Sequence, residues 1–167
     1  MGGDLLEACA KRGDTALDVQ AVLRCRNEDG TLELRDWPEK LQYLPLIRYL
    51  KTDAAEAEVL TGTDDREKAA FQLCAWGAKE VLITHNTEAI VCDGQRIHRA
   101  PLKPRNLSGR TGRGDTTFAG YLTERLESDI PTALEFAAAL VSLKMETPGP
   151  FMGTRQDVLD YIKRFYR

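Results

Sequence analysis

Apolar positions along the chain follow two rhythms. Short compact apolar runs are separated by stretches in which apolar residues recur every three or four positions, the order of an α/β fold. Residues 4–11 read as a short helix with Leu5, Leu6 and Cys9 on one face. Residues 15–24, rich in Leu, Val and Ala, read as one or two buried strands. Asn27-Glu28-Asp29-Gly30 is a turn in which Asp-Gly signals a hairpin, and residues 31–35 alternate as its second strand. Residues 38–44 suit a short helix with Pro38 near its start. An apolar run over residues 46–50, interrupted by Arg48, ends at Lys51-Thr52-Asp53. Residues 54–60 are helical by propensity and stop at Thr61-Gly62. Asp64 or Asp65 caps a longer helix to Trp76, and Gly77 ends it. Val81-Leu82-Ile83 is a buried strand, and residues 89–92 and 95–98 flank Asp93-Gly94, a second hairpin signal.

Residues 101–113 carry two prolines, two glycines and several basic side chains, so they form a loop. Three amphipathic helices follow. Their apolar stripes are Phe118, Leu122 and Leu126 with Tyr121 beside them; then Leu134, Ala137, Ala138, Val141 and Met145; then Val158, Ile162, Phe165 and Tyr166. Each stripe is expected to face a core. The run Ala137-Ala138-Ala139 lets something approach the second helix closely, either a neighbouring helix or a planar ligand.

Composition narrows the function classes. With 167 residues, 43% hydrophobic and 29% charged, the chain is an ordinary globule with one domain's length. Twenty-three Lys+Arg against 26 Asp+Glu give −3, which argues against binding nucleic acid through bulk charge. No apolar run reaches the roughly 18–20 residues of a membrane span, and Met1-Gly2-Gly3-Asp4 lacks the core of a signal peptide. Cys9, Cys25, Cys74 and Cys92 are far apart, with no CxxC and only two histidines, so zinc is not indicated. Such cysteines read as buried thiols in a reducing compartment, and the expected location is the cytoplasm.

The segment richest in chemistry is Ser108-Gly109-Arg110-Thr111-Gly112-Arg113-Gly114-Asp115-Thr116-Thr117-Phe118, a glycine-rich loop running into an amphipathic helix. Helix N-termini expose unpaired N–H groups and partial positive charge, and glycines let such groups converge on an anion. Asp115, in the first turn, either caps the helix or acts as a general base beside a bound phosphate. No Gly-Lys-Ser/Thr follows, so this is not a Walker A loop. No GxGxxG after a first strand supports a dinucleotide domain either. Arg113-Gly114-Asp115 as an adhesion tripeptide is three residues of signal in a chain without a secretion signal.

Gly112 to Gly120 resembles the C-terminal signature of the PfkB (ribokinase-like) carbohydrate kinases, D-T-x-G-A-G-D-x-F-x-G. Upstream, Asp53-Ala54-Ala55-Glu56-Ala57-Glu58-Val59-Leu60-Thr61-Gly62 resembles that family's N-x-x-E segment running into E-x-L-T-G. The two matches come in family order, and the resemblance runs from about Thr15 to the C-terminus. It implies a three-layer αβα, ribokinase-like fold with a mostly parallel sheet, and ATP-dependent phosphorylation of a sugar or sugar-like alcohol. Asp115 would then be the base that deprotonates the attacking hydroxyl. The N–H groups of Gly112, Arg113 and Gly114 would form the anion hole. Glu56, with Asp53, would hold magnesium through water. Thr84, Asn86 and Ala138 match positions that bind the nucleotide.

Several positions depart from the pattern. Asp53 replaces the Asn of N-x-x-E, and Arg113 replaces a small residue between the glycines. Gly109 stands where the signature's first Asp contributes to a monovalent-cation site in many members, so a monovalent cation is not implied here. Of the nucleotide loop T-x-G-x-x-G, Thr84-His85-Asn86-Thr87-Glu88-Ala89 keeps the threonine, and Asn86 can supply a left-handed backbone in place of glycine. The resemblance implies the family's C-terminal half only, one domain over residues 1–167 without the lid and sugar-contacting half. It leaves residues 15–24 as an exposed sheet edge for a second copy or a complementing chain. The expected partners are a sugar substrate and such a chain, with no nucleic acid and no membrane. The alternative reading is a non-catalytic nucleotide-binding remnant or interaction module.

Overall fold

The computed structural model describes residues 3–167. The chain divides into two compact units, one of residues up to Ile83 together with Val91–Ile97, the other of Thr84–Ile90 and His98–Arg167. A five-stranded sheet has the order β1-β4-β5-β6-β7. Its strands are β1 (Ala16–Asp18), β4 (Tyr49–Asp53), β5 (Glu80–Thr84), β6 (Glu88–Cys92) and β7 (Ile97–Pro101). β1 and β4 are parallel, with Ala16 opposite Tyr49 and Asp18 opposite Lys51. The links β5–β6 and β6–β7 are too short for a parallel crossover, so the sheet is mixed.

In the first unit, α1 (Gly3–Ala10) leads to β1, which stops after three residues. Residues 15–24, expected as one or two buried strands, therefore hold a three-residue strand followed by a helical turn. Asp18 Oδ1 accepts the Gln20 N–H at 3.0 Å, and this local turn starts α2 (Gln20–Leu23). β2 (Arg24–Arg26) and β3 (Leu32–Leu34) form the expected antiparallel hairpin, with Gly30 at φ 87° in its turn. After α3 (Lys40–Tyr43) and a 3₁₀ turn over Leu44–Leu46, β4 begins three residues later than the apolar run did. α4 (Ala54–Thr61) ends at Gly62, φ 75°. Asp65 caps α5 (Arg66–Ala75), accepting from the N–H of Glu67 and Lys68. Gly77 follows at φ 123°, where a Cβ would lie 2.7 Å from the Pro45 Cα, so that position admits only glycine. β5 is buried at all five positions, as its unbroken apolar run requires.

In the second unit, α6 (Arg113–Arg125), α7 (Ile130–Met145) and α8 (Arg155–Phe165) match the three predicted helices. The whole α7 stripe from Leu134 to Met145 is buried. Phe136 and Ala139 of α7 pack with Val158, Tyr161 and Ile162 of α8. α6 is rotated from expectation. Its buried face is Thr117, Gly120, Tyr121 and Glu124, whereas Leu126 of the apolar stripe is 83% exposed. Close packing of Gly120 against Leu140 and pairing of Glu124 with Arg155 at 2.8 Å outweigh the apolar periodicity. Glu146, just past α7, accepts from the Arg105 N–H at 3.0 Å and from the Arg105 guanidinium, and lies 2.7 Å from the Tyr161 hydroxyl. Arg105 above all holds the Glu146 carboxyl down at about 2.

The cysteines are all free thiols. Of the four thiols expected to be buried, Cys92 is buried, Cys25 and Cys74 are half-buried, and Cys9 is exposed on α1. No described helix is long and apolar enough to cross a membrane.

Candidate functional site

The glycine-rich loop and the start of α6 lie in the second unit. Gly112 is the N-cap residue of α6, at φ 75°, and contributes no side-chain cap. Its left-handed backbone turns the chain from loop into helix, leaving the first N–H groups of α6 without intrahelical partners. The Gly112 carbonyl accepts from the Thr116 N–H at 3.0 Å and the Thr116 hydroxyl at 2.8 Å. Asp115 sits in the first turn of α6 and is exposed. Its carboxylate takes no hydrogen bond from the backbone, so it is not a side-chain cap, and its place in the first turn suits both a partner for the helix dipole and a base.

Two guanidinium groups flank this helix start. Arg110 Nη2 and Arg113 Nη1 donate to the same oxygen, Asn86 Oδ1, at 3.2 and 2.9 Å. Asn86 thus acts through its side chain. It does not supply a left-handed backbone, since every positive φ among the described residues belongs to a glycine. The β5–β6 turn closes by a bond from the His85 N–H to the Glu88 carbonyl without needing one. Thr84, at the end of β5, is buried. Ala138 is completely buried in the α7 face, and its carbonyl accepts from the Ser142 hydroxyl.

Behind the loop, α7 reaches in with Lys144. This lysine is 2% exposed, and its ammonium donates to the carbonyls of Gly109, at 2.6 Å, and Thr111. Gly109 donates its own N–H to the Met145 carbonyl at 2.8 Å, and a Cβ there would lie 1.8 Å from the Thr147 oxygen. Residue 109 is therefore sterically reserved for glycine.

In the first unit, Asp53 and Glu56 form a reciprocal capping box at the start of α4. Asp53 Oδ1 accepts from the Glu56 N–H at 2.9 Å, and Glu56 Oε2 from the Asp53 N–H at 2.8 Å. Glu56 is buried, and that burial pushes its carboxyl upward. Lys51 Nζ stands 3.8 Å from Glu56 and 2.9 Å from Asp18. No cluster of three His, Cys, Asp or Glu suited to enclosing a metal occurs among the described residues. Half-exposed Asp53 keeps one carboxylate oxygen outside the capping box, a hard donor suited to the water shell of a magnesium ion held mainly by phosphate.

Sequence reasoning missed Lys144, Arg110 and Lys51. Lys144 had a signal, because it falls on the apolar stripe seven residues after Ala137 and three after Val141. A charge on a buried stripe demands partners.

The model of the pfkB family carbohydrate kinases matches residues 4–154, and the chain belongs to this family. That match covers almost the full chain. It corrects the expectation that the resemblance begins near Thr15 and represents the C-terminal half of the family alone. A pyrophosphate-dependent kinase of the ribokinase family, solved with sulfate, is 37% identical over 93% of this chain and 55% of its own, with a TM-score of 0.86. A pyrophosphate-dependent myo-inositol-1 kinase, solved in work converting it into a myo-inositol-3 kinase, is 35% identical over 98% of this chain and 59% of its own, with a TM-score of 0.87. A cytidine kinase of Thermococcus kodakarensis is 39% identical over 70 residues, 40% of this chain and 25% of that one. The fold is thus the expected ribokinase-like α/β architecture. The chain spans somewhat more than half the length of the two solved kinases.

Proposed function

We propose that this chain carries the base and the donor-phosphate site of a kinase that phosphorylates a hydroxyl of a sugar or cyclic polyol, and that the donor is pyrophosphate. The observation that carries the reading is the convergence of Arg110 and Arg113 on Asn86 beside the open N-terminus of α6. Paired guanidiniums and unpaired N–H groups suit a compact, highly charged phosphate. The resemblance suggested ATP. Ala138, one of the three residues matched to the nucleotide site, has no surface to offer an adenine ring. The two solved relatives above are pyrophosphate-dependent kinases.

In this reading the acceptor oxygen attacks the terminal phosphorus, the P–O–P bond breaks, orthophosphate leaves, and the hydroxyl proton passes to Asp115. The N–H groups of Gly112, Arg113 and Gly114 hold the charge of the transferring group. Thr84 and Asn86 border the donor, Asn86 by keeping the two guanidiniums together. Magnesium, when bound, supplies charge neutralisation on the donor. Asp53 and Glu56 are the residues that would hold its water shell.

The test is phosphorus NMR on the protein with magnesium, a panel of cyclic polyols, sugars and nucleosides, and pyrophosphate or ATP as donor. The expected result is a phosphomonoester from pyrophosphate. Arg110→Met and Arg113→Met should each weaken calorimetric pyrophosphate binding by about tenfold or more, the scale of a hydrogen bond to a charged group. Turnover with ATP alone would return the donor to a nucleotide. Neither binding nor turnover would favour a non-catalytic role.

A further inference from the structure

We infer that Lys144 is a built-in monovalent cation that sets the orientation of the anion-binding loop. The inference rests on the reading of that loop as the donor site. Lys144 is a positioning residue, since it acts on the loop and not on the donor.

Its ammonium is buried and donates to two carbonyls of the loop, those of Gly109 and Thr111. No carboxylate pairs with it among the described residues. A buried ammonium needs such partners, because desolvation otherwise drives it neutral. The neighbouring groups favour a cation as well. Lys144 occupies the last turn of α7, where the partial negative charge of the helix end accumulates, and the Met145 carbonyl is already bound to the Gly109 N–H. These are carbonyl oxygens gathered around one positive charge, the arrangement by which a protein holds a free monovalent ion.

The consequence for the loop follows from peptide geometry. A trans peptide points its N–H opposite its C=O. Holding the Thr111 carbonyl inward on Lys144 turns the Gly112 N–H outward. Holding the Gly109 carbonyl inward does the same for the Arg110 N–H. Gly112 is one of the anion-hole donors, so its direction is fixed before any phosphate arrives. Because the cation is tethered to α7, it cannot dissociate, and the loop's geometry does not depend on potassium in solution. Gly109 fits the same logic. No acidic side chain can occupy that position, since a Cβ would meet the Thr147 carbonyl, and none is needed where the cation is covalently attached.

The experiment compares the full chain with Lys144→Met and Lys144→Arg in tetramethylammonium buffer, with and without about 50 mM potassium or ammonium chloride. Two readouts are taken, the thermal melt and calorimetric binding of magnesium pyrophosphate. The expected wild-type melt and affinity are the same with and without the small cations. Lys144→Met should melt lower and bind pyrophosphate at least tenfold more weakly, and potassium or ammonium should restore both, because a cation bound only by the native state raises the melt. Lys144→Arg should show less cation dependence than Lys144→Met. The inference is overturned by a potassium-dependent wild type or by Lys144→Met behaving as wild type. A loss that no small cation restores, including failure to fold in all of them, also overturns it and marks the lysine as merely structural. If the wild type binds no pyrophosphate, the donor reading fails, while the cation-dependent melt still decides the role of Lys144.

Discussion

Asp115 stands in the first turn of α6, exposed and unbonded to the backbone. Its replacement therefore separates chemistry from stability. Asp115→Asn keeps the shape but cannot accept the proton of an attacking hydroxyl. Turnover should fall by about 10²–10⁴-fold, the range for losing a general base. Stability should change by only about half a kcal/mol, since just the interaction with the helix dipole is lost. Kinetics paired with a thermal melt check both, and near-full turnover would remove Asp115 from the mechanism. Asp115 and Gly112 announced themselves through a local motif. Arg110 and Arg113 did not reveal a shared partner, because Asn86 is 24 and 27 residues away from them in the chain.

At the scale of elements, the loop that opens into the glycine-rich segment is tied to the helices by one carboxylate. Glu146, at the end of α7, receives Arg105 of the loop and neighbours Tyr161 of α8. Its carboxyl lies at about 2 in the folded protein, below the ordinary 4.5. A group depressed on folding contributes stability that is fully present above its unfolded value and is lost as pH falls through the folded one. The melt should therefore decline between about pH 4.5 and pH 2 by this route. Glu146→Gln should cost about 2 kcal/mol near neutrality, the scale of hydrogen bonds to a charged group, and should flatten that acid limb. Melts of both proteins across the range check the sign. An unchanged acid limb in the variant would locate the sensitive group elsewhere. The orientation of α6 belongs to this scale too. Apolar periodicity pointed Phe118, Leu122 and Leu126 inward, but Gly120 and the paired Glu124 face the neighbouring helices. A hydrophobic pattern cannot register a close approach at glycine or a carboxylate neutralised by an arginine 31 residues on.

At the scale of the whole molecule, β1 ends the sheet and is paired on one side by β4. We propose that its free edge associates with a second copy or another chain, since an unpaired strand presents unused backbone donors and acceptors. Light scattering should then give a mass above 18.7 kDa that rises with concentration. A monomer at all concentrations would count against it. The edge is only three residues long, so the association is expected to be weak.

Whatever depends only on neighbours along the chain is written in the order of its amino acids, and that order is informative. It gave the alternation of strands and helices, the two Asp-Gly hairpins, the glycine stops at Gly62 and Gly77, and two motifs specific enough to point to the family that the chain belongs to. These are short-range effects of backbone conformation and periodicity, legible in a window of a few residues. The partners were settled by long-range folding. It put the Lys144 ammonium under the loop carbonyls, brought Arg110 and Arg113 to Asn86, turned α6 about its axis, and buried Ala138. Each of these is a balance of desolvation against hydrogen bonding or close packing between segments distant in sequence, and that balance exists only once the chain has folded.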